Sequence, residues 1–313
     1  MDMKKKILYT IRGLYRDDFR VTGYEFGKGE KSLCIVGAAR GNEIQQLYVC
    51  SQIVKKFRQL EEEGRICDGH SILVIPSVNP YSINIRKRFW PTDNTDINRM
   101  FPGYDLGETT QRIADGVFKV VSEYKIGIQF ASFYNAGNFL PHIKIMKAGY
   151  SSVEMAKQFG MPYVIMRNVR PYDTTTLNYN WQVWETQAFS FYTTTTTSID
   201  RTSAGQAVLS ILSFLSRQGI VKYHGPSGRL SKVVDDSEFI AVQTAKSGIF
   251  EPLVSVGTIL RTGAPLANII HPYEGEIIET LYAPCDGVLF FMHNEPLTYA
   301  STAVFKLIPE GVG

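Results

Sequence analysis

Long apolar runs are absent from this 313-residue sequence, so no segment is read as a transmembrane helix. The basic start Lys4-Lys5-Lys6 leads only into the short run Ile7 to Ile11, which Arg12 ends. No secretory h-region is expected, and the chain is read as cytoplasmic. Charge of one sign is lacking too. Thirty-three basic residues against thirty acidic ones leave a formal charge of +3, too little to favour nucleic acid or an anionic membrane as partner. The four cysteines, Cys34, Cys50, Cys67 and Cys285, form no Cys-x-x-Cys pair and read as reduced structural thiols. There is no Gly-x-Ser-x-Gly elbow, and no Cys or Ser has a recognisable His and Asp arrangement. A phosphate-binding glycine loop is missing: Gly23, Gly27 and Gly29 precede the first strongly apolar strand, whereas a dinucleotide fingerprint follows it. Histidine is scarce. His70, His142, His224, His271 and His293 are the whole supply, and no two are spaced to share one helix or strand face.

What is present is a soluble globular composition, 44% hydrophobic and 20% charged. The length allows one large domain or two ordinary ones, at about 100–200 residues each. Residues 1–222 read as alternating strands and helices. Leu33 to Val36, Ile72 to Ile75 and Ile126 to Phe130 are short apolar runs expected as buried strands, with Pro162 to Met166 and Ala188 to Tyr192 as further candidates. Ile44, Leu47, Val54, Phe57 and Leu60 recur at helical spacing and stop at Gly64. Ile113, Val117, Val120 and Tyr124 predict a second helix over Thr109 to Tyr124; Val208, Ile211, Leu212 and Leu215 predict a third over Ala204 to Leu215. This alternation implies an α/β fold, a mostly parallel or mixed sheet covered on both faces. Ligands are then expected in the loops after Val36, Ile75 and Phe130. The Thr193 to Thr197 run suits an extended segment.

Over residues 223–313 Gly and Pro punctuate short β-prone runs such as Phe239 to Val242 and Gly287 to Phe291, which predicts a small all-β domain of barrel or sandwich type. The wording around Gly263 to Ala267 and Ala283 to Gly287 resembles biotinyl/lipoyl-type barrels. The matching tip, His271 to Gly275, lacks the lysine a carrier needs, so a structural module is expected.

The chemistry is concentrated in the segments that follow the first three strands. Gly37-Ala38-Ala39-Arg40-Gly41-Asn42-Glu43 closes the first strand and opens a helix; Asn79-Pro80 follows the second and leads to Asp96-Ile97-Asn98-Arg99-Met100-Phe101-Pro102-Gly103. The third strand ends in Gln129-Phe130-Ala131-Ser132. In this order and spacing they resemble the succinylglutamate desuccinylase/aspartoacylase family, relatives of the zinc carboxypeptidases. That family's pattern runs Gly-x-His-Gly-Asn-Glu, Asn-Pro, Asp-x-Asn-Arg-x-Phe-Pro-Gly and Asp-Leu-His. The resemblance implies a zinc-carboxypeptidase-like α/β fold with a β-rich C-terminal domain, and hydrolysis of an amide between an acyl group and an amino acid. In that chemistry two His and one Glu hold zinc, which polarises the carbonyl and activates water. A Glu acts as base, and Asn and Arg hold the substrate carboxylate.

Against that pattern, Arg40 and Ala131 stand at the two ligand-His positions and only Glu43 retains a ligand position. Tyr192 is the nearest match to the catalytic Glu. His142 is the candidate replacement metal ligand, and Asp93, Asp96 and Glu43 suit either a harder ion such as Mg²⁺ or turn-making and capping. Zinc is thus the cofactor the resemblance implies, and no cofactor is the other outcome. A guanidinium at Arg40 would neutralise Glu43 without any metal. The resemblance places Asn98 and Arg99 on the substrate carboxylate, with Arg88 or Arg86 assisting. Together with Arg40 and Asn79 these would form a pocket for a small carboxylate-bearing molecule; otherwise Arg99 braces the Phe101-Pro102-Gly103 loop. Ser132, beside Ala131, is the one serine worth inspection. Two functions follow. One is a hydrolase of amide or ester bonds in small N-acyl amino acids with a reorganised site. The other is a non-catalytic relative that binds a small carboxylate or a protein partner. The aromatics Phe133, Tyr134, Tyr172, Tyr179, Trp181, Trp184, Phe189, Phe191 and Tyr192 fit a core or the interface of a homo-oligomer, and Asp173 to Gln182 is read as a loop that either closes over a ligand or contacts a partner subunit.

Overall fold

The computed structural model describes residues 4–14, 17–133, 135–225 and 228–312; Tyr134 lies outside them. The chain forms two compact units, one of residues 1–132 and 142–231, the other of residues 133–141 and 232–313. The strands up to residue 192 are β1 (Lys4–Ile11), β2 (Phe19–Gly27), β3 (Gly29–Ala38), β4 (Gly69–Ser77), β5 (Ile126–Phe130), β6 (Gly137–Phe139, in the second unit), β7 (His142–Met146), β8 (Tyr163–Arg167) and β9 (Gln187–Tyr192). The helices are α1 (Ile44–Glu62), α2 (Pro80–Asn84), α3 (Thr109–Val121), α4 (Val153–Lys157), α5 (Leu177–Val183) and α6 (Arg201–Arg217).

In the first unit the strands lie in the order β1-β2-β4-β3-β5-β9-β7-β8. β4, β3, β5 and β9 run parallel, with antiparallel pairs β1/β2, β2/β4 and β7/β9 toward the edges. The central strand is β3. Helix α1 carries the chain to β4 on one side of it, and the later crossing through α3 delivers β5 on the other. Successive connections therefore diverge at the carboxyl end of β3, where an α/β sheet opens a crevice. Side-chain alternation covers both faces of this strand. Cys34 and Val36 join Ile113, Val117 and Val121 of α3 and Leu177 and Trp181 of α5 in one buried cluster. On the opposite face, a Cβ at Gly37 would stand 2.7 Å from Cys50 Sγ of α1. Burial pushes the Cys34 and Cys50 thiols well up, so both stay protonated.

The apolar runs expected as strands lie within β3, β4, β5, β8 and β9, and the three predicted helices are α1, α3 and α6. Three details differ. The second helix ends at Val121 rather than Tyr124. Thr193 to Thr197 bends instead of extending, because hydroxyls take local partners: Thr193 Oγ1 donates to the Thr195 carbonyl at 3.3 Å and Thr195 Oγ1 meets Ser198 Oγ at 2.9 Å. Asp173 to Gln182 is not a loop throughout: it leaves the 3-10 turn Pro171–Asp173 and from Leu177 on is α5. Leu177 and Trp181 point from it into the core, the Trp181 indole donates to the Val121 carbonyl at 3.1 Å, and the ring lies where a Cβ on Gly127 would be 2.7 Å away.

The second unit adds β10 (Lys232–Asp235), β11 (Ile240–Gln243), β12 (Gly248–Pro252), β13 (Ile259–Leu260), β14 (Pro265–Ile270), β15 (Ile277–Tyr282), β16 (Gly287–His293), β17 (Leu297–Thr298) and β18 (Ala303–Pro309). One antiparallel sheet has the order β11-β18-β16-β13, with β6 also on β16; the other has β15-β14-β12-β17. Phe250, Leu266, Ile269, Leu289, Phe305 and Leu307 pack as its core. The β14/β15 tip is closed by His271 N donating to Glu276 O at 2.8 Å. No described helix is long and apolar enough to cross a membrane.

Candidate functional site

The carboxyl ends of β3, β4, β5 and β9 bring the motif segments together. After Ala38 the chain turns through Arg40 and Gly41 into α1. Gly41 is required by close approach: a Cβ there would fall 2.2 Å from the Ser82 carbonyl carbon and 2.2 Å from Lys87 O. Its N–H donates to the Arg88 carbonyl at 3.2 Å, which presses the turn against α2 and the segment behind it. Glu43 directly precedes α1 and folds back over the turn. Its Oε2 accepts from the backbone N–H groups of Ala39 (2.8 Å) and Arg40 (3.0 Å), and the residue is 1% exposed.

Arg40 fills the centre of the site. Nη1 donates to Glu43 Oε1 at 3.0 Å and to Ser132 Oγ at 3.2 Å; Nε and Nη2 both donate to Asp96 Oδ2, at 3.0 and 2.8 Å. Ser132 Oγ in turn donates to Glu43 Oε1 at 2.5 Å. One cation thus sits between two carboxylates, one of them almost fully buried. Burial pulls the guanidinium's proton affinity down, and the Glu43 and Asp96 carboxylates more than reverse this, so Arg40 stays charged. Asp96 also takes the Asn98 N–H at 3.1 Å, capping the 3-10 turn Ile97–Arg99.

The remaining predicted residues take separate places. Asn98 is buried, and its Oδ1 accepts from Gln129 Nε2 at 2.7 Å. Gln129 stands where the family's Asp-Leu-His pattern has Asp. Arg99 is 33% exposed at its side chain; Nη1 donates to the Tyr172 carbonyl, lies 3.9 Å from Asp173 Oδ1, and the guanidinium rests over the Tyr172 ring at 5.4 Å. Arg88 places its guanidinium over Phe89 at 5.5 Å. Asn79 is a helix cap: its Oδ1 accepts from Ser82 N at 3.2 Å at the start of α2. Asn79→Ala is therefore expected to cost about 1 kcal/mol, read as a lower denaturation midpoint. Asp93 makes a turn through Thr95 N at 2.9 Å.

His142 opens β7. It is fully buried and stacks on Tyr192, ring centroids 4.7 Å apart and planes 4° off parallel. Tyr192, on β9, has its phenol pushed up to about 12 by burial, so it is protonated at neutral pH and cannot replace a carboxylate base.

The residues present do not fit zinc. A guanidinium has donors and no lone pair to offer a metal, and Ala131 offers nothing. Both Glu43 oxygens are already occupied by hydrogen-bond donors. Among the described residues no group of three or more His, Cys, Asp or Glu side chains is placed to hold a metal ion. The sequence does not disclose the Arg40–Asp96 and Gln129–Asn98 pairings. Each partner lies in a motif segment, but only the fold sets them against each other.

Comparison with known proteins agrees with this architecture. The family model for the succinylglutamate desuccinylase/aspartoacylase catalytic domain matches residues 29–206. An N-alpha-acetyl-L-2,4-diaminobutyric acid deacetylase of Halomonas elongata is 24% identical over 290 residues, covering 86% of this chain and 79% of its own. A succinylglutamate desuccinylase from Silicibacter sp. TM1040 superposes with a TM-score of 0.80 at 17% identity, over 98% of this chain and 95% of the other. The product-bound ectoine utilization protein EutE (DoeB) from Ruegeria pomeroyi gives a TM-score of 0.80 at 16% identity over the same shares, 98% and 95%.

Proposed function

The chain belongs to the succinylglutamate desuccinylase/aspartoacylase family, and on that footing we propose that its cleft binds a small N-acyl amino-acid-like molecule by the carboxylate and does so without zinc. The observation that carries this reading is Arg40, whose guanidinium occupies both carboxylates at the motif where the family pattern places a ligand His. The positive charge that a metal would bring to Glu43 and Asp96 is thereby supplied by a side chain. The ligand class follows the family, whose H. elongata relative is named as a deacetylase of an N-acetylated amino acid.

Arg40 is fully engaged by Glu43 and Asp96, and we assign the carboxylate contact to Arg99, where a bound carboxylate would share the guanidinium with the Tyr172 carbonyl and Asp173. The neighbouring Asn98 is braced by Gln129, and the Arg99 side chain is one-third open to solvent. A charge-assisted hydrogen bond contributes about 1.5–3 kcal/mol, so Arg99→Ala is expected to weaken binding of an N-acetyl amino acid about ten- to hundredfold. Calorimetry in the presence of a chelator measures this. Unchanged affinity in the variant would contradict the assignment.

A further inference from the structure

We propose that Ser132 is a nucleophile for metal-free acyl transfer and that Glu43 is its base; the inference rests on the metal-free reading above. Ser132 lies two residues past the end of β5, at the carboxyl edge of the sheet, and is only partly buried, whereas its partners Glu43 and Arg40 are nearly closed off. Its Oγ donates to Glu43 Oε1 at 2.5 Å, within the reach a nucleophile and its base require. The base is itself oriented: two backbone N–H groups fix Glu43 Oε2 and Arg40 Nη1 fixes Oε1. This is nucleophile, base and orienting group in sequence, reached without histidine. Arg40 Nη1, 3.2 Å from Ser132 Oγ, sets a positive charge beside the hydroxyl oxygen as its proton leaves, before the charge passes to the former carbonyl oxygen of the tetrahedral centre.

The step balances without a co-reactant other than water. Ser132 Oγ attacks the acyl carbonyl carbon as its proton passes to Glu43 Oε1. The tetrahedral centre collapses, the carbon–nitrogen or carbon–oxygen bond breaks, and the leaving amine or alcohol takes the proton from Glu43. Water then attacks the acyl-serine ester, giving a proton to Glu43 that returns to Ser132 Oγ, and the free carboxylic acid departs. Ligands carrying a small, unhindered acyl group are the substrate class.

The test uses the full chain with a chelator present and p-nitrophenyl acetate as probe, followed by intact mass and peptide mapping. An acetyl group on Ser132 is expected in the native chain, with labelling at least about a hundredfold slower in Ser132→Ala, the scale of a lost nucleophile–base pair. Ser132→Cys keeps a nucleophile at the same place and is expected to acylate there, which separates loss of chemistry from loss of fold. No adduct at residue 132 in either the native chain or Ser132→Cys overturns the inference, as does labelling equal in native chain and Ser132→Ala. Calorimetry of Ser132→Ala with an N-acetyl amino acid keeps the two proposals apart. Binding without acylation in the native chain sinks the nucleophile alone; absence of binding sinks the ligand reading.

Discussion

Arg40→Met is expected to lower folding stability by about 3–5 kcal/mol, the cost of removing one partner from a buried charge network. Met keeps an unbranched apolar stem as far as the Nε position, so what is chiefly lost is the charged end of the side chain with its hydrogen bonds. Glu43, 1% exposed, loses the guanidinium that meets its Oε1, and Asp96 loses the group that bridges it to Glu43. The other partners that hold Glu43, two N–H groups and the Ser132 hydroxyl, are neutral and do not replace a full charge at low effective dielectric. Urea denaturation of native chain and variant measures the difference. Combining Arg40→Met with Glu43→Gln is expected to recover much of it, because removing both charges of a buried pair costs far less than removing one. If the single variant is as stable as the native chain, Arg40 is not what neutralises this site.

The second large effect is a gain. Arg40→His with Ala131→His would restore two imidazoles beside the retained Glu43, the set through which the family pattern holds zinc. The doubly substituted chain is expected to be weakened when stripped of metal, for the reason just given, and to be rescued by zinc. Binding at a thousandfold excess over the dissociation constant contributes about 4 kcal/mol, a rise of several degrees in melting temperature for a chain of this size. The native chain is expected to show no such rise. Thermal denaturation with and without zinc, repeated after chelation, separates the cases. Failure of the double variant to respond would show that the surrounding backbone has moved out of ligating geometry.

Much of the first unit can be read from residue order. The apolar runs of β3, β4 and β5 are continuous because parallel strands are buried on both faces, and the helical spacings of α1, α3 and α6 follow from one buried stripe each. β1, at the edge, and β2 beside it escape notice because strands of mixed exposure leave a faint apolar signal. The Thr-rich segment misleads because β-branched residues favour strands while their hydroxyls also bond nearby backbone, and here the second tendency prevails. At the site, Arg40 and Ala131 are visible in the sequence as departures from the family pattern. That Arg40 is shared with Asp96 and Ser132 is not, since both pairings cross long stretches of chain. Arg40 is buried and bonded to Glu43 and Asp96, whereas Arg99 stays one-third exposed, which is why the proposed carboxylate contact is assigned to Arg99.

Elemental mass spectrometry of the purified, untagged chain, dialysed against trace zinc, addresses the Arg40 assignment most directly. A guanidinium locked between Glu43 and Asp96 predicts zinc far below one ion per chain. About one zinc per chain would mean that other donors complete a metal site, and the metal-free cleft would have to be abandoned.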